Sequence, residues 1–353
     1  MKILGFLIVL AQVGWTGCAM AQISLTPPVA QAPKAAPKAA PKPPPAAPAK
    51  PPVAAKKPPT PPVAKPAEAA APDNPNADLI YGAYQRGLYK TAFDLASKRA
   101  QDNNDPKAMT MLGELYANAM GVKRDYARAA EWYQRAADRG DREAMFALAM
   151  LRLSDRGNTG NRDQAVKLLA SSAKLGNPKA AYNLALLYLD GQTLPQDVKR
   201  SAELLRIAAD AGNPEAQYAL ATFYKEGTGV EKNIDRAVRL LQAAAMADNV
   251  DAEVEYAIAL YNGTGTPKNE TAAIALLRKA SKQNSPIAQN RLARVLALRT
   301  NPEDRLEGLK WHIVAKTAGK GDLMLDELLA QATPDERTKA QEAARRWLGT
   351  PPK

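Results

Sequence analysis

The stretch AGNPEAQYALATFYKEGTGV (residues 211–230) is nearly repeated 36 residues earlier as LGNPKAAYNLALLYLDGQTL (residues 175–194). Each copy has an Asn-Pro pair at its third and fourth positions, continues with apolar residues at helical spacing, and reaches a glycine about one helix length later. Recurrence at a fixed period of this size is typical of a repeat array in which each copy is one structural unit. The fixed period therefore indicates a repeated structural unit, whereas a stretch that occurs only once is a candidate for a functional site.

The period of 36 residues holds along most of the chain. Alanine recurs at one position and a large residue follows four places later, so both lie on one face of a predicted first helix. Three residues before each alanine stands a residue that can cap a helix. Four of these six cap residues are followed by proline, which suits the first helical position. The alanines are Ala108, Ala144, Ala180, Ala216, Ala252 and Ala288; the large residues are Leu112, Leu148, Leu184, Leu220, Tyr256 and Leu292; the caps are Asp105, Asp141, Asn177, Asn213, Asn249 and Ser285.

A second helix is predicted in every copy after a glycine turn. Glycine ends a helix because it adopts a positive φ without a Cβ clash. The predicted caps of the second helices are Asp125, Asn161, Asp197, Asn233 and Asn269, and the last copy runs from Asp304 to Gly319 with one residue deleted. A single helix pair cannot bury its apolar face alone, so the copies must stack.

The sequence thus predicts an all-α solenoid of about six 36-residue helix-turn-helix repeats over residues 104–319. Atypical end units are expected in such arrays. We expect a capping helix pair in residues 77–103 and capping helices and a tail in residues 320–353, where Thr333 to Glu336 has the pattern of a capping box.

The pattern N-P-x-A-x-x-x-L-A-x-x-Y, then G-x-G, then A-x-x-L-L-x-x-A-A-x-x-G, resembles the SEL-one-like repeat, a relative of the tetratricopeptide repeat. The resemblance implies a right-handed superhelix of antiparallel helix pairs and a role as a protein-binding adaptor, in bacteria often in envelope signalling or assembly. Some exported members carry a disulfide in each repeat and are linked to penicillin-like or peptidoglycan ligands. This chain lacks those cysteines, since its one cysteine is Cys18.

Residues 1–21 have the layout of a secretory signal peptide. A lysine is followed by an apolar run from Ile3 to Val13 and by small residues that end at Ala21, which predicts cleavage before Gln22. A lipoprotein signal with an acylated Cys18 is the alternative. The chain is therefore expected to be exported, as a periplasmic protein or, in the alternative, as a lipid-anchored one.

Residues 22–76 are predicted to be a disordered Pro/Ala/Lys-rich linker. The segment Pro27–Pro75 has no aromatic residue, leucine or isoleucine, so it cannot bury enough apolar area to offset its ordering entropy. Two interpretations stay open: a spacer across an anionic envelope layer, with peptidoglycan binding through its lysines, or a solvated linker of no required length.

Charge and chemistry exclude several classes of function. The net charge of +12 falls to +6 for residues from Ala77 onward, where both signs are mixed, so no nucleic-acid partner is expected. The only histidine is His312, next to Trp311. Without a nucleophile–base set, a ligand cluster or a phosphate-binding loop, we expect no catalytic residues, no metal site and no cofactor.

The resemblance to tetratricopeptide repeats implies that the first helices line a concave groove. Positions two before and two after the repeated leucine would then point into it, and an aromatic stripe there is typical of a peptide site. The alternative is that these rings pack between neighbouring repeats. The predicted partner-binding residues are Phe146, Tyr182, Tyr218, Glu114, Met150, Thr222 and, one helical turn further along, Lys225.

We therefore predict a non-catalytic interaction scaffold or adaptor of the bacterial cell envelope that binds a peptide or protein in its groove. The expected partner is an envelope or membrane protein. The alternative is a peptidoglycan-binding or β-lactam-type envelope enzyme.

Overall fold

The computed structural model describes residues 78–156 and 160–349, and it folds them into sixteen α-helices with no β-strand in those residues. The predicted signal peptide with Cys18 (residues 1–21), the predicted linker (residues 22–76) and residues 350–353 of the predicted C-terminal tail lie outside the described residues. Within the described ranges, no helix is both long enough and apolar enough to cross a membrane.

The helices follow one another through short turns. They are α1 (Leu79–Gln85), α2 (Tyr89–Asn103), α3 (Pro106–Asn118), α4 (Tyr126–Ala137), α5 (Arg142–Leu153), α6 (Arg162–Lys174), α7 (Pro178–Asp190), α8 (Val198–Asp210), α9 (Pro214–Glu226), α10 (Ile234–Met246), α11 (Val250–Asn262), α12 (Glu270–Lys282), α13 (Pro286–Ala297), α14 (Pro302–Thr317), α15 (Leu323–Gln331) and α16 (Pro334–Leu348).

The prediction of an all-helical tandem array with a period of about 36 residues is confirmed. The first helices of the repeats are α3, α5, α7, α9, α11 and α13, and the second helices are the even-numbered helices from α4 to α14. From α5 to α14, each helix packs against the helix before it and the helix after it, which is the packing order of a solenoid.

The chain divides into two compact units, with the division after Asp125. The first described unit contains α1, α2 and α3, and the second contains α4 to α16. Residues 77–103, for which a capping helix pair was predicted, contain α1 and α2, and α3 joins them in the same unit. In this unit the core is formed by Ala83, Ala92 and Leu115 with partly buried aromatic rings around them.

The predicted caps of the first helices are present at all six positions. Each side-chain oxygen accepts a hydrogen bond from a backbone amide in the first turn, for example from Ala216 to Asn213 at 2.7 Å and from Ala252 to Asn249 at 2.9 Å. The remaining caps are Asp105, Asp141, Asn177 and Ser285. Such a cap contributes about 1 kcal/mol to helix stability, so the periodic polar residues fix where each helix begins.

The second helices begin as predicted in five copies, including α4 directly after Asp125, and differently in the last. Side-chain caps are formed by Asn161, Asp197, Asn233 and Asn269. The predicted start at Asp304 is wrong, because Asn301 caps α14 and Pro302 occupies its first position. Asp304 lies inside the first turn instead, where it accepts hydrogen bonds from Arg278 and Arg299, both at 3.2 Å.

Small residues let neighbouring helices approach closely. One position in each second helix is alanine, serine or glycine in every repeat. At Gly308 of α14, an added Cβ would lie 2.5 Å from the backbone nitrogen of Ala297 in α13. The residues at this position are Ala129, Ala165, Ser201, Ala237, Ala273 and Gly308.

The end of the second unit is closed by α15 and α16. The predicted capping box is present, with the Thr333 hydroxyl accepting from the Glu336 amide at 3.2 Å and the Glu336 carboxylate accepting from the Thr333 amide at 2.9 Å. The Trp347 ring of α16 packs edge-on against the Trp311 ring of α14 at a centroid distance of 5.0 Å.

Two glycines, one on each side of α9, have a positive φ, and only one of them also makes a close contact with a neighbouring helix. Gly212, between α8 and α9, has φ +83° and open space around an added Cβ. Gly229, in the turn after α9, has φ +66°, and an added Cβ would lie 2.7 Å from the carbonyl oxygen of Val198 in α8. The first glycine therefore serves only the backbone conformation, and the second also serves a close contact.

We expect Gly212→Ala to lower the free energy of unfolding by about 1 kcal/mol, because it only strains the left-handed backbone. Gly229→Ala should lower it by about 3 kcal/mol, because a contact with main-chain atoms cannot be relieved by a side-chain rotation. Urea denaturation followed by circular dichroism measures both. Equal losses for the two variants would contradict this view of the turn.

Candidate functional site

The first helices of the second unit carry most of the residues predicted to bind a partner. Phe146 lies on α5, Tyr182 on α7 and Tyr218 on α9, at the same position of three consecutive repeats. All three side chains are half-buried. A half-buried ring is held in place by its packing and still has surface to offer a ligand.

Three of the predicted residues are brought together on α9. The Tyr218 hydroxyl is 3.4 Å from Oε1 of Glu255, and Lys225 Nζ donates to Oε2 of the same carboxylate at 2.8 Å. The Thr222 hydroxyl, between them along the helix, donates to the backbone carbonyl of Tyr218 at 3.3 Å. We call the set Tyr218, Thr222, Lys225 and Glu255 the α9–α11 cluster, because Glu255 belongs to the next first helix, α11.

Glu255 is a functional candidate that the prediction from sequence missed. The prediction used the positions two residues before and after the repeated large side chain, together with Lys225 one turn further along, and Glu255 lies one residue before Tyr256. A signal was present, since the corresponding residues of the two preceding repeats, Ala219 and Asn183, are uncharged. A new charge at a repeated position indicates a local contact that the architecture does not require.

The alternative interpretation, in which the aromatic rings pack between repeats, also describes part of what Tyr218 does. Its side chain packs against a buried cluster that includes Ala221 of α9, Leu241 of α10 and Ala252 of α11. The ring is therefore fixed between neighbouring repeats while its hydroxyl reaches the half-buried Glu255 carboxylate. The Tyr218 side chain therefore both packs between repeats and places its hydroxyl at the surface.

Four predicted residues do not join this cluster: Phe146 and Tyr182 lie in the preceding repeats, and the other two are Met150 and Glu114. Met150 is only 2% exposed, so the prediction that it contacts a partner is wrong; the side chain belongs to the core. Glu114 lies in the first unit, where its carboxylate accepts from the Asn118 amide at 2.7 Å. Burial raises the pKa of the Tyr84 hydroxyl to about 12, and the Glu114 carboxylate adds to that rise.

We call the side of the first helices that carries Phe146, Tyr182 and Tyr218 the first-helix face. This face is less accessible to a partner in the last repeats. Val254 of α11 is only 4% exposed. On α13, the Asn290 amide donates to the backbone carbonyl of Lys320 at 3.3 Å, and Arg294 pairs with Asp322. Residues of the chain itself therefore contact this face at α13.

Two glutamates of α11, two residues apart, have opposite surroundings. The Glu255 side chain is 30% exposed, and the Lys225 side chain that pairs with it is 43% exposed. The Glu253 side chain is fully buried and pairs with Lys279 at 2.7 Å, with the Gln283 amide donating to it at 3.2 Å. The exposed Lys225–Glu255 pair is accessible to a ligand, whereas in the second pair the Glu253 carboxylate is buried in the core and only Lys279 reaches the surface.

The described residues show no arrangement typical of a metal centre. In residues 78–156 and 160–349, no group of three or more histidine, cysteine or acidic side chains is placed to hold a metal ion. His312 is fully buried, and its Nε2 lies 2.8 Å from Asp326, which also pairs with Lys316 at 2.7 Å. Hydrogen bonds from Lys316 and then His312 lower the pKa of Asp326.

Comparison with protein families identifies the repeat. The model described as "Sel1 repeat" matches five consecutive segments: residues 106–141, 142–177, 178–213, 214–249 and 250–285. These boundaries coincide with the first-helix caps, since every segment begins immediately after one of them. A search of curated proteins finds no match.

Solved structures with the same fold include two of bacterial origin. The chain is similar to a Sel1 repeat protein from Oxalobacter formigenes, with 24% identity, a TM-score of 0.60, and coverage of 68% of this chain and 98% of that one. It is also similar to a protective antigen of uropathogenic Escherichia coli strains described as displaying an SLR fold, with 23% identity, a TM-score of 0.50, and coverage of 77% and 68%. At these identities the likeness concerns the fold alone.

We expect the two lysine–glutamate pairs on α11 to differ strongly in their contribution to stability. Lys225→Ala should cost less than about 1 kcal/mol, because both partners are exposed to solvent. Lys279→Ala should cost about 3 kcal/mol, because the buried Glu253 carboxylate loses its cation. Urea denaturation measures both variants.

The two lysines have similar exposure, 43% and 46%, and the second partner of Lys279, Asp248, is 75% exposed, so burial of the Glu253 carboxylate is the main difference under test. Adding Glu253→Gln to Lys279→Ala should recover part of the loss, because the amide removes the buried charge. A similar decrease in the free energy of unfolding for Lys225→Ala and Lys279→Ala would mean that burial of Glu253 does not determine how much each ion pair contributes to stability.

Proposed function

The chain belongs to the Sel1 repeat family, and we propose that it is a non-catalytic scaffold of the bacterial cell envelope that binds a peptide segment of a partner protein. Sel1 repeat proteins are generally scaffolds for protein–protein interaction. The proposal adds a location, the envelope, and a surface, the first-helix face of α7, α9 and α11.

The observation that carries the proposed surface is the α9–α11 cluster. The Glu255 carboxylate lies within hydrogen-bonding distance of both the Tyr218 hydroxyl and the Lys225 ammonium across two repeats, and the Thr222 hydroxyl is bonded to the Tyr218 backbone carbonyl. Tyrosine provides a large, rigid contact area with a polar end, which is why it is enriched among residues that dominate binding energy. Tyr182 provides a second ring of this type at the same position of the preceding repeat.

The Lys225–Glu255 pair gives the surface an orientation. Its ammonium and carboxylate are both partly exposed, so a peptide can meet the donor and the acceptor at defined places beside the Tyr218 ring. Rim charges of this kind influence which partner binds and in which direction more than they add affinity. This arrangement favours an extended segment with polar and apolar residues over a purely apolar ligand.

The proposed location is supported by the sequence alone. Residues 1–21 have the order of a secretory signal, and residues 22–76 combine proline, alanine and seven lysines. A chain of this composition favours extended polyproline II conformations, at about 3.1 Å per residue. We propose that it tethers the repeats at a distance from their point of attachment.

Binding is tested with the full chain and three variants. Wild type, Tyr182→Ala/Tyr218→Ala, Tyr182→Ala and Tyr188→Ala are crosslinked to envelope extract, the captured protein is identified, and its affinity for each variant is then measured. We expect the double variant to bind about 30-fold more weakly, since rings at a binding hot spot contribute about 2 kcal/mol or more.

Tyr188 is the matched control, because it is a half-buried tyrosine on the same helix as Tyr182 but lies on a different face. Its replacement should leave the affinity unchanged. Equal weakening by Tyr182→Ala and Tyr188→Ala, with all variants folded, would remove the proposed surface. Turnover of muropeptides or of a chromogenic β-lactam by the wild type would instead support the enzyme alternative.

The N-terminal prediction has its own measurement. We expect the protein purified from its host envelope to begin at Gln22, as read by intact mass and N-terminal peptide analysis. A diacylglycerol-modified Cys18 would support the lipid-anchored alternative, and an intact Met1 in the cytoplasmic fraction would contradict export.

A further inference from the structure

A cavity of about 310 Å³ lies between α8, the end of α9 and the turn after α9. Leu220, Tyr224 and Val230 form its apolar lining, and Lys199, Glu203 and Arg206 of α8 line it from the other side. Leu220 is buried and Tyr224 is half-buried, whereas both cations are exposed. The cavity therefore has a packed apolar base and a charged margin.

The wall of the cavity is held by a close main-chain contact. Gly229 lines the cavity, and the space for a Cβ at Gly229 is already filled by the carbonyl oxygen of Val198. The turn cannot approach α8 further. A preformed wall of this kind reduces the ordering cost when a ligand binds.

The cations at the margin have no counter-ion among the residues that the structure describes. In the described part of the chain, neither Lys199 nor Arg206 has an ion-pair partner. Glu203, between them on α8, pairs with Arg200 at 2.7 Å. The Arg236 guanidinium of α10 lies 5.7 Å from the centre of the Tyr224 ring, and it also has no acidic partner among the described residues.

These cations depart from the repeat. One period earlier, the residues equivalent to Lys199 and Arg206 are Asp163 and Ala170. One period later they are Asp235 and Gln242. The stacking of the helices therefore does not require two cations at these positions, and their presence in one repeat indicates a local role.

We propose that this cavity binds a short acidic peptide segment from another protein, with one apolar side chain in the cavity and carboxylates beside Lys199 and Arg206. The two positions are about 10 Å apart along α8, a separation that acidic residues on both sides of the apolar residue can span. The volume is at the lower end of the range of about 300–1,000 Å³ for ligand sites, which suits one or two side chains.

Charge complementarity also excludes the chain's own linker as the occupant. Residues 22–76 contain seven lysines but only two acidic residues, so they would be repelled by the margin. The cavity is distinct from the α9–α11 cluster, because Tyr224 and Tyr218 are separated by about 120° around the axis of α9. The inference thus goes beyond the proposed function and can fail independently of it.

The test is a display selection of short random peptides on the full chain, followed by affinity measurements on the enriched peptides. We expect peptides in which aspartates or glutamates flank an apolar residue. Lys199→Glu/Arg206→Glu should weaken them at least about tenfold, because attraction becomes repulsion. Raising the salt concentration from about 0.1 M to about 1 M should weaken them as well, because it shortens the screening length.

A matched control is available on α6. Lys167 and Lys174 are exposed, lie seven residues apart as Lys199 and Arg206 do, and do not line the cavity. Lys167→Glu/Lys174→Glu makes the same change in net charge and should leave the affinity unchanged.

Several results would overturn the proposal. These are the absence of enriched peptides, enrichment without acidic residues, or equal weakening by both double variants. Binding to phosphatidylglycerol vesicles that is lost in Lys199→Glu/Arg206→Glu, without acidic-peptide binding, would identify a membrane site instead. Persistence of acidic-peptide binding in Tyr182→Ala/Tyr218→Ala would show that the cavity acts separately from the first-helix face.

Discussion

At Gly308, the main chain of α14 passes so close to α13 that a Cβ has no room. The equivalent residues of the earlier second helices, such as Ala165, Ser201 and Ala237, are buried and small. Small residues at these positions let the helices approach closely, and the large side chains one turn further along, such as Leu205 and Leu277, are buried beside them. The stacking of the repeats depends on this contact, since one helix pair alone buries too little apolar area to be stable.

Because the cap positions and the small buried positions are constrained by the fold, residues specific to function are expected at the other positions of the repeat. Along the repeats, the caps and the small residues hardly vary, whereas Glu255, Lys199 and Arg206 have no counterpart in the neighbouring copies. The α9–α11 cluster and the cavity beside α8 both involve α9 but lie on different sides of it. One helix can therefore contribute to two surfaces without a change in the packing of its buried face.

Much of the fold could be predicted from the sequence because the determining signals are local. The Asn and Asp caps act on amides two or three residues away, so their positions fixed most helix starts correctly. The predicted start of α14 at Asp304 was wrong for a local reason as well, because Asn301 and Pro302 begin the helix three residues before the repeated cap position. The site was harder to predict, because it depends on contacts between repeats. Met150 has the correct helical position for the face, yet its side chain is buried, and Glu255 was found only through its contacts with α9.

The C-terminal segment has a consequence for assembly. Stacked repeats are open at their ends, and an uncovered last repeat can accept another copy of the same chain and grow into a filament. Here Asn290 and Arg294 of α13 are already bonded to Lys320 and Asp322, and α16 packs its tryptophan against the last repeat helix. A second molecule would have to displace these contacts before it could continue the stack. The length of the array is thus limited at this end by the chain itself.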